Sequence, residues 1–300
     1  MGEIECTDVT PECPVEASIY GYVPNLAANA FFLGFFAAAL IAQIIQGLKW
    51  RLWTFMIAMT LGCLTEAIGY FGRILLNNNV FSDVGFEMQI CCLTIAPAFM
   101  SAALYLTLKH LVIAFGEEYS FIKARLYTWI FISCDLLSLC LQGAGGGIAA
   151  SADTQSASDI GTDIMLTGII WQVITLFAFA ALSIAYYLPV RRHRHELDES
   201  AKALLSDRKF KLFISSLIVA YITIFVRCVY RIAEMAGGWR NDIMQDETGF
   251  IALEGVMITA ATLAFTLFHP GFCFPQMRES SHGKKPYTEK YASTSTNVDV

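Results

Sequence analysis

Seven ionisable residues lie inside stretches of sequence that are otherwise apolar, and these are the residues at which chemistry could take place. They are Glu66, Arg73, Asp135, Arg227, Arg231, Glu234 and Glu254. An ionisable side chain at the centre of a bilayer costs about 2.5–3.5 kcal/mol on insertion scales, so such residues face the interior of a helix bundle and pair with each other. The set is suited either to binding a charged amphiphile or to fixing how the helices pack.

The spacing of these residues predicts shared helical faces. Glu66 and Arg73 are seven residues apart, which places them on one side of a helix and about 10 Å apart along its axis. Arg227, Arg231 and Glu234 follow at steps of four and three, so Arg231 and Glu234 are expected to pair within their own helix. We expect Glu66 and Arg73 to find partners on the sixth and seventh spans.

The elements that carry these residues are seven apolar runs, each meeting the length of roughly 20 residues that a bilayer requires. The chain has 300 residues, of which 56% are hydrophobic and 15% are charged, against roughly 25% charged in a soluble domain. The predicted fold is therefore all-α, a polytopic membrane protein with seven transmembrane helices in a domain of residues 25–272. The runs are 25–46, 53–76, 88–114, 126–150, 163–188, 212–236 and 248–270.

The distribution of basic residues predicts the orientation. Sixteen of the 20 Lys and Arg residues fall on one side of the predicted membrane, and only Arg240 falls on the other. The positive-inside rule then places the N-terminus outside and the C-terminus in the cytoplasm. Residues 1–24 become an extracellular segment, and the polar residues 273–300 become a cytoplasmic tail that we expect to be disordered.

With this orientation, most of the intramembrane polarity lies in the outer half of the bilayer. Gln142 and the run Gly143–Gly147 also fall at the outer end of the fourth span. This layout predicts a polar cavity that opens outward above an apolar floor, although buried ion pairs could instead serve to fix helix register. The glycine run either allows close helix packing or breaks the helix toward a cavity.

Two cysteines precede the first span on the predicted outer side, where disulfides persist. Cys6 and Cys13 could pair with each other, or one could reach Cys91 or Cys92 at the outer end of the third span. The sequence does not decide between these pairings.

Several function classes are excluded by residues that the sequence lacks. The last span has no Lys for a retinal Schiff base, and the absence of a P-loop excludes ATP-driven pumping by this chain alone. No nucleophile–base pair and no basic patch of the nucleic-acid-binding type is visible, so we predict no enzyme activity, no cofactor and no nucleic-acid partner. A deep zinc or haem site is excluded because all histidines lie at interfaces or in loops: His110, His193, His195, His269 and His282.

A series of motifs between residues 20 and 275 resembles, in order, the fungal RTA-like family, also called the lipid-translocating exporter family. The motifs that carry the resemblance are YGYVPNLAANAFFLGFF (20–36), EAIGYFGR (66–73), QICCLTIAPAFMSAALYLTLKHLV (89–112), CDLLSLCLQGAGGG (134–147), GIIWQ (168–172), VRCVYRIAEMAGG (226–238), FIALEGVMI (250–258) and FHPG (268–271).

The resemblance implies a seven-span protein associated with resistance to toxic amphiphiles, with relatives linked to sphingoid long-chain bases, a sterol analogue and porphyrins. We therefore expect a translocator of amphiphilic lipids in the plasma membrane, with the vacuolar or endosomal membrane as alternatives. Its partners would be membrane lipids or amphiphilic small molecules. The rival hypothesis is a receptor-like lipid sensor that acts on resistance indirectly. The candidate substrate-binding residues are Glu66, Arg73, Gln142, Arg227, Arg231, Glu234 and Glu254.

Overall fold

Seven long helices account for most of the chain in a computed structural model, which describes residues 6–152, 154–239, 241–275 and 277. All seven are long and apolar enough to cross a membrane, which confirms the predicted fold class. The spans are α1 (Leu26–Trp50), α2 (Trp53–Asn78), α3 (Asp83–Phe115), α4 (Ala124–Ala150), α5 (Gln155–Arg192), α7 (Arg208–Ala236) and a seventh span, Glu247–Cys273. A short helix, α6 (Glu199–Ser206), precedes α7.

The helix ends follow from capping residues in the sequence. The side chain of Asn25 accepts a hydrogen bond from the Ala28 amide at 3.0 Å and starts α1. Ser82 caps α3 in the same way, and Thr154 caps α5. These residues satisfy amides that have no partner inside the helix. Because Thr154 starts α5 at Gln155, that helix begins earlier than the apolar run predicted.

The seventh span is irregular at its start. It is made of α8 (Glu247–Phe250), a π-helical turn over Ile251–Val256, α9 (Met257–Leu267) and α10 (Pro270–Cys273). Single π-helical turns inside α-helices often occur at functional sites, and this one carries Glu254. Gly255 allows the close approach of α1, since a Cβ there would lie 2.4 Å from the Phe32 ring.

The glycine run near the end of α4 serves close helix packing. The helix continues unbroken through it. A Cβ on Gly145 would lie 2.4 Å from the Met165 amide nitrogen, and a Cβ on Gly161 would lie 2.5 Å from that of Ala149. The backbones of α4 and α5 therefore touch, which confirms the packing interpretation of this run.

The residues before α1 lie across the end of the bundle where α1 begins, which we call the N-terminal side. Asn77 at the end of α2 donates a hydrogen bond to the Pro24 carbonyl at 2.7 Å, and Asn79 donates one to the Thr7 carbonyl at 2.9 Å. A disulfide joins Cys6 to Cys13. The pairing left open by the sequence is thus the local one, and Cys91 and Cys92 carry free thiols.

The opposite end of the bundle is closed by aromatic side chains. Phe210 packs against Phe115 and Phe274, with ring centroids 5.7 and 5.6 Å apart, and Phe213 also contacts Phe274. Cys273, Phe274 and Met277 at the start of the predicted tail are buried in this core. Residues 276 and 278–300, which make up the rest of that tail, lie outside the described residues.

Candidate functional site

Charged side chains from α2, α7 and the seventh span lie in the bundle interior in two layers. Seven residues separate Glu66 from Arg73 on α2, and seven separate Arg227 from Glu234 on α7, so the layers are about 10 Å apart. The deep layer consists of Glu66, Arg227 and Glu254. The upper layer, nearer the N-terminal side, consists of Arg73, Arg231 and Glu234. All six side chains are buried.

Arg227 holds the deep layer together. Its Nη2 donates to the Glu254 carboxylate and also to the backbone carbonyl of Leu93 on α3. That carbonyl is available because the residue four positions later is Pro97, which has no N–H to donate to it. A proline in α3 therefore supplies the acceptor that orients an arginine of α7 toward a carboxylate of the seventh span.

Glu66 is the unpaired member of the deep layer. Both of its carboxyl oxygens are buried and have no hydrogen-bond partner among the described residues. The charged groups that act on it most strongly are Arg227 and Glu254. The deep layer therefore contains two carboxyl groups and one guanidinium. The sequence predicted a partner for Glu66 on the sixth or seventh span, but no described hydrogen bond joins Glu66 to either span.

The upper layer contains the ion pair that the spacing predicted. Arg231 donates from Nη1 to Glu234 one turn away on α7, and from Nη2 to the Thr94 hydroxyl of α3 at 2.8 Å. The Asn241 amide donates to the Glu234 backbone carbonyl at 2.6 Å and closes the end of α7. The predicted pairing of Arg231 with Glu234 is confirmed.

Arg73 is held by groups from three other parts of the chain. It donates to Asn29 of α1 and to the Tyr22 hydroxyl, each at 3.0 Å, and it lies 3.7 Å from the carboxylate of Glu247. Its guanidinium carbon also stacks 3.9 Å from the centre of the Phe250 ring. The expected partner on the seventh span is present as Glu247.

Two tyrosines of the N-terminal segment complete the upper layer, and neither is among the residues that the sequence predicted for the site. Tyr20 and Tyr22 both place their rings within 6 Å of the Arg73 guanidinium. The Tyr20 hydroxyl accepts a hydrogen bond from Gln89 at 2.8 Å. Burial raises the pKa of both phenols, and the nearby charge of Arg73 opposes that rise. The YGYVPN motif (20–25), directly before α1, is the sequence feature that could have indicated these two tyrosines.

Gln142 lies in a different polar cluster, between α4 and α5. Its amide nitrogen donates to Ser138 at 2.6 Å and to the Gln172 side chain at 3.1 Å, and Ser138 donates to the Gly168 carbonyl at 2.8 Å. Within the described part of the chain, no hydrogen bond joins this cluster to the two charged layers. The structure therefore brings together six of the seven candidate residues and leaves Gln142 apart.

Comparisons with known proteins found a matching family model and several relatives. The family model described as RTA1 like protein matches residues 59–277. The chain is 31% identical to the sphingoid long-chain base transporter RSB1 of Saccharomyces cerevisiae over 286 residues, which covers 86% of this chain and 75% of that protein.

Two further yeast relatives are more distant. Protoporphyrin uptake protein 1 is 27% identical over 207 residues, covering 69% of this chain and 65% of the relative. Protein RTM1 is 25% identical over 216 residues, covering 70% and 65%. No solved structure matches.

Proposed function

Since this chain belongs to the family of RTA1 like proteins, we propose that it translocates amphiphilic lipids with a cationic head group, of which sphingoid long-chain bases are the leading class. The chain is a multi-pass membrane protein. We place it in the plasma membrane with the N-terminal side facing outward, as the distribution of Lys and Arg favours.

The observation that carries the proposal is the unpaired carboxyl group of Glu66. An ionised carboxylate buried without a partner costs several kcal/mol. The ammonium of a long-chain base would supply both the missing charge and up to three N–H donors. Because Arg227 is already bound to Glu254 and Leu93, an incoming cation displaces no described hydrogen bond from Glu66.

The paired carboxylates support the same proposal. Glu234 and Glu254 each use one oxygen for their arginine, and the other oxygen of each is buried without a hydrogen bond to a described residue. Each carboxylate could therefore accept an ammonium while keeping its arginine. This arrangement offers a cation successive acceptors in the two layers, about 10 Å apart along the bundle.

The hydrocarbon tail of such a substrate can remain in the lipid. Large apolar side chains on the outer surfaces of the helices are exposed in the bundle, Phe31, Ile57 and Phe177 among them. A tail that lies along these surfaces needs no enclosed tunnel, so only the head group has to pass through the charged layers.

The test is transbilayer movement of a labelled long-chain base in liposomes that contain the purified protein and no ATP. We expect Glu66→Gln to slow the movement about tenfold, equivalent to about 1.4 kcal/mol. The matched control is Glu87→Gln, the same change at an exposed carboxylate of α3, which should move lipid at the wild-type rate.

A labelled N-acylated base, which lacks the ammonium, should not be moved faster than in protein-free liposomes. Wild-type rates for Glu66→Gln would contradict the role of this residue. Saturable binding of the base without movement would favour the receptor-like sensor instead.

A further inference from the structure

A buried carboxyl group that belongs to neither charged layer lies in the middle of α4. Asp135 is 4% exposed. Neither of its oxygens has a hydrogen bond of normal geometry to a described residue, and the ion pairs of the described residues do not include it. Within the described part of the chain, Glu66 is the other carboxyl group whose two oxygens are both buried without a hydrogen bond of normal geometry.

Among the described residues, the groups found to act on Asp135 carry no positive charge. From α3, the hydroxyl of Tyr105 lies beside the carboxyl, and it too has no hydrogen bond of normal geometry. From α7, Cys228 lies within electrostatic reach. Cys134 precedes Asp135 on α4 itself, and α5 contributes Thr175, which lies beside Cys134 and does not titrate.

Aromatic rings pack against the Tyr105 side of this site. The Tyr105 ring contacts those of Phe131 and Phe179, with centroids 5.1 and 4.8 Å apart. A carboxylate here would be desolvated without a compensating cation. The carboxylic acid avoids that cost, and its O–H can donate a hydrogen bond to the Tyr105 oxygen.

Cys228 connects this site to the deep layer. It follows Arg227 in α7 and is 1% exposed. Its thiol interacts electrostatically with Arg227, Glu254 and Asp135. A change of charge on Asp135 would therefore alter the potential at the Arg227–Glu254 pair, which adjoins Glu66.

We propose that Asp135 is a proton-binding site through which this protein exchanges a proton for the cationic head group held at Glu66. The inference rests on the proposed function. The O–H bond of Asp135 forms with a proton from one side of the membrane and breaks to release that proton on the other side. One ammonium crosses in the opposite direction, so each exchange is electrically neutral.

Proton binding is tested first, without reference to transport. Infrared difference spectra of the purified protein in lipid, recorded between acidic and alkaline pH, should contain a protonated-carboxyl band that disappears in Asp135→Asn. The band should remain in Asp163→Asn, a change at an exposed position of α5. The same band in wild-type protein and in Asp135→Asn would overturn the proposal.

Coupling is tested in liposomes that contain a pH-sensitive dye. A 1:1 exchange predicts that a gradient of one pH unit drives about tenfold accumulation of a labelled long-chain base. We expect wild-type protein to reach this value with matching proton flux, Asp135→Asn to move the base without accumulation or proton flux, and Asp135→Glu to restore both.

Tyr105→Phe should keep the coupling and change only its pH midpoint, since it removes the hydroxyl but leaves the carboxyl. Accumulation by Asp135→Asn equal to that of the wild type would contradict the proposal. If the wild-type protein moves no base at any pH, the proposed function fails, and the infrared band alone decides whether Asp135 binds a proton.

Discussion

Arg227 of α7 donates a hydrogen bond to the backbone carbonyl of Leu93 in α3, a carbonyl that lacks the usual α-helical donor. The cause lies four residues further on, where Pro97 lacks the N–H that would otherwise bind it. The same guanidinium nitrogen binds Glu254 in the π-helical turn. Arg227 therefore links the proline in α3 to the π-helical turn of the seventh span.

Replacing the proline should separate helix stability from function. We expect Pro97→Ala to retain the thermal stability of the protein, because proline costs about 3 kcal/mol in a helix interior. The new N–H would compete with Arg227 for the Leu93 carbonyl. Since a hydrogen bond to a charged group contributes about 1.5–3 kcal/mol, long-chain-base movement should fall about tenfold in the liposome assay.

The control for this prediction is Pro189→Ala, at the other proline inside a long helix. The carbonyl that Pro189 leaves without its usual N–H donor accepts no described hydrogen bond from either charged layer. Pro189→Ala should therefore leave the rate unchanged. Unchanged movement by Pro97→Ala would show that Arg227 does not depend on the Leu93 carbonyl.

The buried ion pair of the deep layer should behave non-additively. Arg227→Met leaves Glu254 and Glu66 without a cation, and breaking a buried pair in this way costs about 3–5 kcal/mol. The double variant Arg227→Met, Glu254→Met removes one of the two uncompensated carboxylates and should recover most of that loss. Thermal unfolding in detergent, analysed as a double-mutant cycle, measures the coupling.

Additive effects of the two single substitutions would mean that the pair contributes no coupling energy. The pair Lys202 and Glu199, which is partly exposed on α6, provides the comparison. A cycle there should give less than about 1 kcal/mol because water screens an exposed pair.

The glycine run offers a matched pair of substitutions within one helix. Gly145→Ala would force a Cβ to within 2.5 Å of the Gly161 carbonyl, whereas a Cβ on Gly143 meets no atom within 4 Å. We expect Gly145→Ala to destabilise the protein by about 1–3 kcal/mol through overpacking. Gly143→Ala should be neutral, or stabilising by up to about 1 kcal/mol.

The thermal unfolding temperature of the purified variants measures the difference between Gly145→Ala and Gly143→Ala. Equal temperatures for the two would show that α4 and α5 are not in backbone contact at Gly145.

The attachment of the N-terminal segment should weaken in alkali. Burial raises the pKa of Tyr20 and Tyr22 above the ordinary value of about 10. The folded state therefore holds the phenol protons more tightly than the unfolded state. The stability that they contribute is complete below about pH 10 and is lost as the pH rises toward the folded-state pKa.

Hydrogen exchange of residues 6–24 at about pH 8 and about pH 11 measures this loss, after correction for the intrinsic exchange rate. In the double variant Tyr20→Phe, Tyr22→Phe the segment should be held less tightly at both values but without the alkaline change. Tyr187→Phe, at a tyrosine that is 55% exposed, should behave as the wild type does. An alkaline change that survives in the double variant would assign it to other groups.

The sequence by itself determined the features that depend on neighbours along the chain. Seven spans follow from the length and apolar content that a bilayer requires of each segment. The pairing of Arg231 with Glu234 follows from the period of one helix. Both are local properties, so no knowledge of the other helices was needed.

Only the tertiary structure decided which helices supply the partners. Arg227 pairs with Glu254 across two spans, Arg73 binds a tyrosine that precedes α1, Glu66 has no hydrogen bond to a described residue, and Gln142 faces Gln172. The physical reason is that the order and rotation of helices in a bundle depend on close contacts between distant segments. The contact of Gly145 with Gly161 and the bond from Arg227 to the Leu93 carbonyl are two such contacts, and no periodicity within a single helix encodes them.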